Sequence, residues 1–317
     1  MKVIEHIKQS TGTIFSFEIL PPLKGEHINS IYSIIDPLVK FNPAFIEVTY
    51  HREEIVDKKR PDGLLERRVV RKRPGTVGIS AAIKYKYGVD VIPHIICGGF
   101  TREETENGLI DLNFLGIDNL LVIRGDNLKN EKSFRAEKDG HAYAVDLVKQ
   151  IMEMNAGIYI DESLENHTPT NFSVGVAGYP EKHFEAPNMI TDLMFLKQKI
   201  EAGAEYIVTQ MFFDNSKYFE FVRLCREEGI TVPIIPGIKP ISTKGQLTTL
   251  PSTFHIDIPD DLVKAVMHCK DNQAVRQVGV EWAIQQSREL KEKEVPVIHY
   301  FTMSKADNIR SIVEAIF

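Results

Sequence analysis

Along the whole chain, apolar runs of strand length alternate with amphipathic stretches of helix length, the pattern of repeated βα units. The strand-like runs are FSFEIL (15–20), FIEVTY (45–50), DVIPHIIC (90–97), NLLVIRGD (119–126), FSVGVAGYP (172–180), YIVTQMFF (206–213), VPIIPGIKP (232–240) and VPVIHYFTM (295–303). Helical periodicity follows in TREETENGLIDLNFLG, YAVDLVKQIMEM, MITDLMFLKQKIEAG and SKYFEFVRLCREEG. Three of these segments close on Gly116, Gly203 and Gly229, as left-handed C-terminal caps require. Near-continuous apolar strands alternating with helices predict an α/β fold, a single closed (β/α)8 TIM barrel over residues 1–317, rather than an open doubly wound sheet.

Two segments stand outside that rhythm. Residues 51–74, HREEIVDKKRPDGLLERRVVRKRP, predict a long basic loop after the second strand, and residues 157–171 an insertion before the fifth. In a barrel the first belongs to the rim that carries chemistry and the second to the opposite rim. The basic run reads either as a solvated charged face or as a lid or clamp for an anionic ligand.

Composition narrows the classes. The chain has 317 residues, 43% hydrophobic and 26% charged, with a net charge of −6, which argues against wholesale binding to nucleic acid or an anionic membrane. The first residues, MKVIEHIKQSTG, contain no apolar h-region, and no apolar run approaches the roughly 18 residues of a membrane span, so a cytoplasmic protein is expected. Cys97, Cys225 and Cys269 form no C-x-x-C pair, and each is expected to be a small buried hydrophobe.

The opening strand poses a chemical question. FSFEILPP places one acid, Glu18, in an aromatic run halted by two prolines, which lack an N–H for pairing. A carboxyl buried at a strand end resists ionisation. It reads either as a satisfied structural acid or as a working one. In a barrel every strand's carboxyl end points at one mouth. Glu18 would therefore share that mouth with Thr49, Tyr50, His94, Arg124, Gly125, Asp126, Tyr179, His183, Gln210 and Thr302. No H-x-H or H-x-x-x-H spacing supports a metal centre, although His94, His183, Glu18 and Asp126 could supply ligands. His94 alone reads equally as a core histidine. Neither a Rossmann fingerprint, a P-loop nor a G-x-S-x-G elbow occurs. Lys239, after IIPGI, is the one candidate for Schiff-base chemistry.

FSFEILPP, FIEVTY, PHIIC, VIRGD, AGYPEKHFEA with Asp192 and Lys199 beyond it, VTQMFF, IIPGIKPIS and HYFTMSKAD follow one another in an order that resembles the methylenetetrahydrofolate reductases of the bacterial type, from Phe15 to Phe317. The resemblance implies a flavin-bearing (β/α)8 barrel that uses NADH or NADPH to reduce 5,10-methylenetetrahydrofolate to 5-methyltetrahydrofolate, and it implies no regulatory domain after the barrel. It implies that Glu18 is the general acid that protonates N10 as the substrate ring opens, and that Asp126 lies by the flavin and the pterin, where its carboxylate promotes hydride donation and favours the iminium cation. Thr49, Tyr50, His94, Arg124, Gly125, Asp126, Tyr143, Ala144, Tyr179, His183, Ala186, Asp192 and Lys199 would line the FAD site, with Arg124 and Lys199 suited to diphosphate and ribose. Gln210, Gln246 and Lys305 would meet folate, Gln210 touching pterin or nicotinamide.

The chain departs from the family pattern at Phe301, where relatives carry Tyr, at Lys305 in place of Arg, and at Leu250 in place of an aromatic residue. The resemblance also implies turn-taking by nicotinamide and folate in one pocket, hence ping-pong kinetics, and a homo-oligomer. The rival readings are another flavin barrel of the proline-dehydrogenase kind, a flavin-free pterin barrel of the dihydropteroate-synthase kind, and a non-enzymatic binding protein.

Overall fold

The computed structural model describes residues 1–128, 131, 133–165, 167–303 and 305–317. Eight parallel strands close into a barrel: β1 (Ile14–Ile19), β2 (Phe45–Val48), β5 (Asp90–Ile96), β6 (Asn119–Ile123), β7 (Ser173–Gly178), β8 (Tyr206–Met211), β9 (Ile234–Ile238) and β10 (Val297–Phe301). β1 pairs with β10 on one side and β2 on the other, which closes the ring. Helices α1 (Val3–Gln9), α2 (Asn29–Val39), α3 (Thr76–Tyr87), α4 (Arg102–Phe114), α5 (Ala144–Asn155), α6 (Met189–Glu201), α7 (Asn215–Glu227), α8 (Gln246–Phe254), α9 (Asp260–His268), α10 (Asn272–Glu292) and α11 (Asp307–Ile316) make up the helical complement. Among the described residues none is long and apolar enough to cross a membrane.

Local chemistry accounts for the helix ends. Thr101 caps α4 in a reciprocal box with Glu104, and Gly116, at φ +64°, turns the chain out of it, as the Gly signal predicts. Gly203 and Gly229 also take positive φ. Cys97 and Cys225 are buried as expected, but Cys269 is not: it is part-exposed at the end of α9, its thiol 3.3 Å from the Ala265 carbonyl.

Two further expectations need correction. The paired strands are shorter than their apolar runs, so Thr49, Tyr50, Arg124, Gly125, Asp126 and Tyr179 lie just past the last strand residue, on the mouth. Apolar side chains continue there because they pack against the tops of the helices. The basic segment 51–74 is also not a loop. It folds as an antiparallel hairpin of β3 (Glu54–Lys59) and β4 (Leu65–Val70). Arg60-Pro61-Asp62-Gly63 forms its turn, with Gly63 at φ +86°, a turn signal that the sequence carries openly. Much of its positive charge is answered locally: Asp57 faces Arg67 across the strands, and Glu66, Glu53 and Glu54 pair with Arg68, Arg71 and Lys72.

The barrel interior is layered by the two-residue period of its strands. Phe45, Ile92, Leu121, Tyr206, Val208, Ile235 and Val297 form a dry floor, with Val3 of α1 in the same cluster. Gly175 makes room in it: a methyl group there would stand 2.1 Å from the Tyr206 ring. Two residues further along their strands, on the same face, come Glu47, His94 and His299, and with them Ser16 of β1.

Candidate active site

A polar file crosses the barrel above its apolar floor. Ser16 Oγ lies 2.8 Å from His299 Nδ1. His299 Nε2 is 3.5 Å from Glu47 Oε2, and the same oxygen is 3.2 Å from His94 Nε2. His94 Nε2 is in turn 3.6 Å from Glu18 Oε2, which is the end of the file nearest solvent. The side chains of Glu47 and His299 are 1% and 0% exposed, that of His94 5%, and that of Glu18 14%. Burial pushes the carboxyls of Glu18 and Glu47 up and the imidazoles of His94 and His299 down, so the file favours uncharged groups. Glu18 is therefore an acid that holds its proton beyond the ordinary carboxylate range. Its backbone oxygen also accepts from the Thr302 hydroxyl at 2.7 Å, which fixes the end of β1 to the loop after β10.

The inner half of this file was missed in the sequence. Glu47 in FIEVTY and His299 in VPVIHYFTM carried the signal that singled out Glu18, a polar residue inside an apolar strand. Glu47 is the register partner of Glu18, and His299 pairs with Ser16, two residues earlier on β1; both side chains are buried where Glu18 keeps some exposure.

On the mouth is a cavity of about 270 Å³, lined by Thr49, Tyr50, Arg52, Gly125, Asp126 and Asn127 among others, with Glu18 outside its lining. Asp126 is exposed on this rim, as a group meant for a ligand would be. Buried in the same quarter, Arg52 Nε and Nη1 and Asn127 Oδ1 have no hydrogen-bond partner among the described residues. A second cavity of about 550 Å³ lies to one side, between Tyr50, Phe100 and the first turns of α3 and α4. It is larger and mostly apolar, and its wall includes His94, the imidazole that faces Glu18.

The remaining predicted residues fall into three groups. Arg124 bonds Glu185 at 2.6 Å and lies 5.0 Å over the Phe134 ring. Around it, Tyr179 and His183 meet edge to face at 4.7 Å, the His183 N–H donates to Asp192 at 2.8 Å, and the Lys199 ammonium donates to the Ala177 carbonyl at 2.9 Å. Ala186 is buried beside them, its N–H bonded to the His183 carbonyl at 3.0 Å, and burial brings the Lys199 ammonium down to about 8. Tyr143 is exposed where it caps α5, which Ala144 begins. Gln210 turns its amide oxygen to the N–H of Met211, at an irregularity in the β8–β9 pairing. Gln246 is occupied: its oxygen accepts from the N–H groups of Ser242 and Thr243 at the start of α8. Lys305 is exposed after β10.

Fold and file together define a (β/α)8-barrel protein with a buried, proton-holding carboxyl at the mouth. The chain belongs to the methylenetetrahydrofolate reductase family, whose model matches residues 2–316. It is 31% identical over 317 residues to methylenetetrahydrofolate reductase (NADH) 1 of Arabidopsis thaliana, covering 96% of this chain and 49% of that protein. It is 30% identical over 294 residues to 5,10-methylenetetrahydrofolate reductase of Buchnera aphidicola, covering 92% and 87%. The chain thus spans about half the length of the plant relative. Among solved structures, an uncharacterized protein from Clostridium thermocellum that binds two copies of 5-methyl-5,6,7,8-tetrahydrofolic acid shares the fold, at a TM-score of 0.59 and 15% identity over 99% of this chain and 97% of that one.

Proposed function

We propose that this chain reduces 5,10-methylenetetrahydrofolate to 5-methyltetrahydrofolate with electrons from NADH or NADPH, and that it binds FAD to do so. One observation carries the reading: Glu18 sits at the mouth, largely buried, where burial pushes its carboxyl up from the ordinary carboxylate range, the direction that a proton donor to N10 needs. Family membership and the reductase names of the relatives support it.

The residues present fit FAD. The unpartnered Arg52 and Asn127 atoms beside the 270 Å³ cavity offer donors and an acceptor to a ring edge. That volume suits a ring system rather than a whole dinucleotide, so the remainder would run along the open rim past Arg124, Tyr143, Ala144, Tyr179, His183, Ala186, Asp192 and Lys199. Thr49, Tyr50 and Gly125 would border the ring, while His94 lines the larger cavity alongside. Bound there, FAD supplies a two-electron carrier between nicotinamide and folate.

Glu18 protonates N10 and so opens the five-membered ring. The exposed Asp126 carboxylate stabilises the cationic iminium that results. Gln210 can turn its amide toward pterin or nicotinamide. Gln246 would present only its NH2 to folate, because its oxygen is engaged. Lys305 is free to meet a folate carboxylate, though without the bidentate fork of an arginine. Nicotinamide and folate take turns in one mouth, which gives ping-pong kinetics. The reading extends to a cytoplasmic enzyme of methionine synthesis, with residues 1–317 as one catalytic domain that assembles as a homo-oligomer.

The test is direct. Purified protein should show flavin absorbance that bleaches with NADH or NADPH and returns with 5,10-methylenetetrahydrofolate. A colourless protein unable to take up FAD would remove the reading.

A further inference from the structure

Glu47 has no place in the chemistry above, yet it is wholly buried on β2, as the register partner of Glu18 on β1. Among the described residues Glu47 Oε1 has no hydrogen-bond partner, and neither has His94 Nδ1. Burying a carboxyl that is only partly satisfied is costly, and the dry floor below it would accept an apolar residue at no such cost.

The geometry around His94 gives Glu47 a task. An imidazole Nε2 has a single hydrogen-bonding valence, one N–H or one lone pair. Two carboxyl oxygens compete for it: Glu47 Oε2 at 3.2 Å and Glu18 Oε2 at 3.6 Å. The first is within hydrogen-bond reach and the second is not. We propose that His94 carries its proton on Nε2 and that Glu47 is a positioning residue that accepts that N–H and so leaves Glu18 without an imidazole donor, holding Glu18 in its proton-giving form. This rests on the reductase reading, and it explains why a histidine beside the acid does not neutralise its function. An imidazole N–H turned onto Glu18 would stabilise the carboxylate and drain the acid of its proton.

The other groups around the file do not supply this effect. The titratable groups facing Glu18 are Glu47 from β2, His94 from β5 and His299 from β10, the last with a ring nitrogen within 4.8 Å of a Glu18 oxygen; the Thr49 hydroxyl, just past β2, also bonds Glu18 and draws it down, and Phe301 is the register partner of Glu18 on β10. His299 of β10 faces Glu47 and is bound to Ser16 on its other side. His51 is influenced by His94 from the rim side, and Tyr206 lies near Glu47 from below. Burial raises the Glu18 carboxyl most; the charge of His94 draws it down and the charge of Glu47 pushes it up, so the experiment must separate the charge of Glu47 from its hold on His94 Nε2.

The experiment compares Glu47→Leu, which frees His94 Nε2, with Glu47→Gln, whose amide oxygen can still occupy it. The first readout needs no turnover. The infrared carbonyl band of protonated Glu18 is titrated in the holoenzyme without folate and is assigned by its loss in Glu18→Gln. The second readout is the pH profile of folate-driven flavin reoxidation. Glu47→Leu should lower the pH at which Glu18 gives up its proton by about one to two units, a ten- to hundredfold change in proton affinity, and Glu47→Gln should leave it near the parent value. The high-pH limb of reoxidation should move with it, whereas a purely structural role would slow the rate at every pH without moving the limb. An unmoved band in Glu47→Leu overturns the proposal. An equal shift in both variants also overturns it, because charge rather than bond competition would then be responsible. If Glu47→Leu does not fold, a shift of a full unit in Glu47→Gln alone overturns it. So does a stoichiometric divalent metal in the parent protein that either substitution removes. A band that moves as expected in a protein that never reduces folate would leave this coupling standing and remove the reductase reading instead.

Discussion

The ammonium of Lys199, on α6, donates to the carbonyl of Ala177, on β7, at 2.9 Å. That bond ties the outer helix to the strand that delivers Tyr179 and His183 to the mouth, and burial has already brought the ammonium down to about 8. A diphosphate or ribose oxygen at this rim would restore its preference for the charged form.

Lys199→Ala and His183→Ala should therefore each raise the dissociation constant of FAD by about tenfold or more, the loss expected of one charge-assisted hydrogen bond. The far-ultraviolet spectrum should stay that of a barrel. Fluorescence titration of apoprotein with FAD measures it, and unchanged affinity in both variants would displace the cofactor from this rim.

The hairpin yields a prediction that separates its two readings. Arg67, Arg68 and Arg71 are paired with exposed acids, and such pairs contribute only about 0–1 kcal/mol. Replacing all three with Ala should leave the melting temperature nearly unchanged. If the hairpin clamps the polyglutamyl tail of folate, KM should rise more for polyglutamylated substrate than for the monoglutamate, and added salt should erase the difference. Equal changes for both substrates would return the hairpin to a solvated charged surface.

Gly175 tests the floor. A methyl group there would stand 2.1 Å from the Tyr206 ring, whose hydroxyl donates to the Leu120 carbonyl at 2.9 Å. The ring is wholly buried and has nowhere to go, so Gly175→Ala should destabilise the fold by about 2–4 kcal/mol, the range of severe overpacking combined with a lost buried bond. Urea unfolding followed by flavin release and by circular dichroism would report it.

The barrel was legible because parallel strands buried on both faces write continuous apolar runs, and each run here found its strand. Strand ends were not legible to the residue, since side chains such as Phe212 and Phe213 stay buried after the pairing has ended. The hairpin was passed over because its charge drew attention from the Pro-Asp-Gly turn. At the site, Glu18 was readable as a lone acid in FSFEILPP, but its surroundings were not. Glu47 and His299 come from strands more than two hundred residues apart in sequence, and only barrel closure between β1, β2 and β10 places them side by side.

Lys239 gives a pH signature. It is 3% exposed just past β9, its amine 3.5 Å from the Pro240 carbonyl, and burial lowers it to about 8. The unfolded chain keeps this proton to about 10.4. Below about 8 both states are protonated, and the folded state bears the full cost of a buried ammonium. Between about 8 and 10.4 the unfolded state binds more protons, so this residue's contribution to stability rises with pH. Lys239→Met should thus stabilise the protein at pH 7 by up to about 3 kcal/mol, and the gain should shrink toward pH 10. The variant-minus-parent difference in denaturant midpoint, followed across that range, isolates the effect from every other titrating group.

Glu18→Gln separates acid from scaffold. Transfer of a hydride from nicotinamide to flavin needs no proton on folate, so reduction should stay within about tenfold of the parent rate, a change of ~1.4 kcal/mol or less. Reoxidation by 5,10-methylenetetrahydrofolate needs the ring opened, and removal of a general acid typically slows such a step by ~10²–10⁴-fold. The amide matches the shape and neutrality of the protonated carboxyl, so folate should still bind. Because the Glu18 backbone carbonyl, not its side chain, holds Thr302 at 2.7 Å, the join between β1 and the loop after β10 should survive the substitution. Stopped-flow bleaching and recovery of the flavin measure the two halves separately. Comparable slowing of both would make Glu18 a support for flavin or fold, and normal reoxidation by folate would mean that the proton comes from another group or from water.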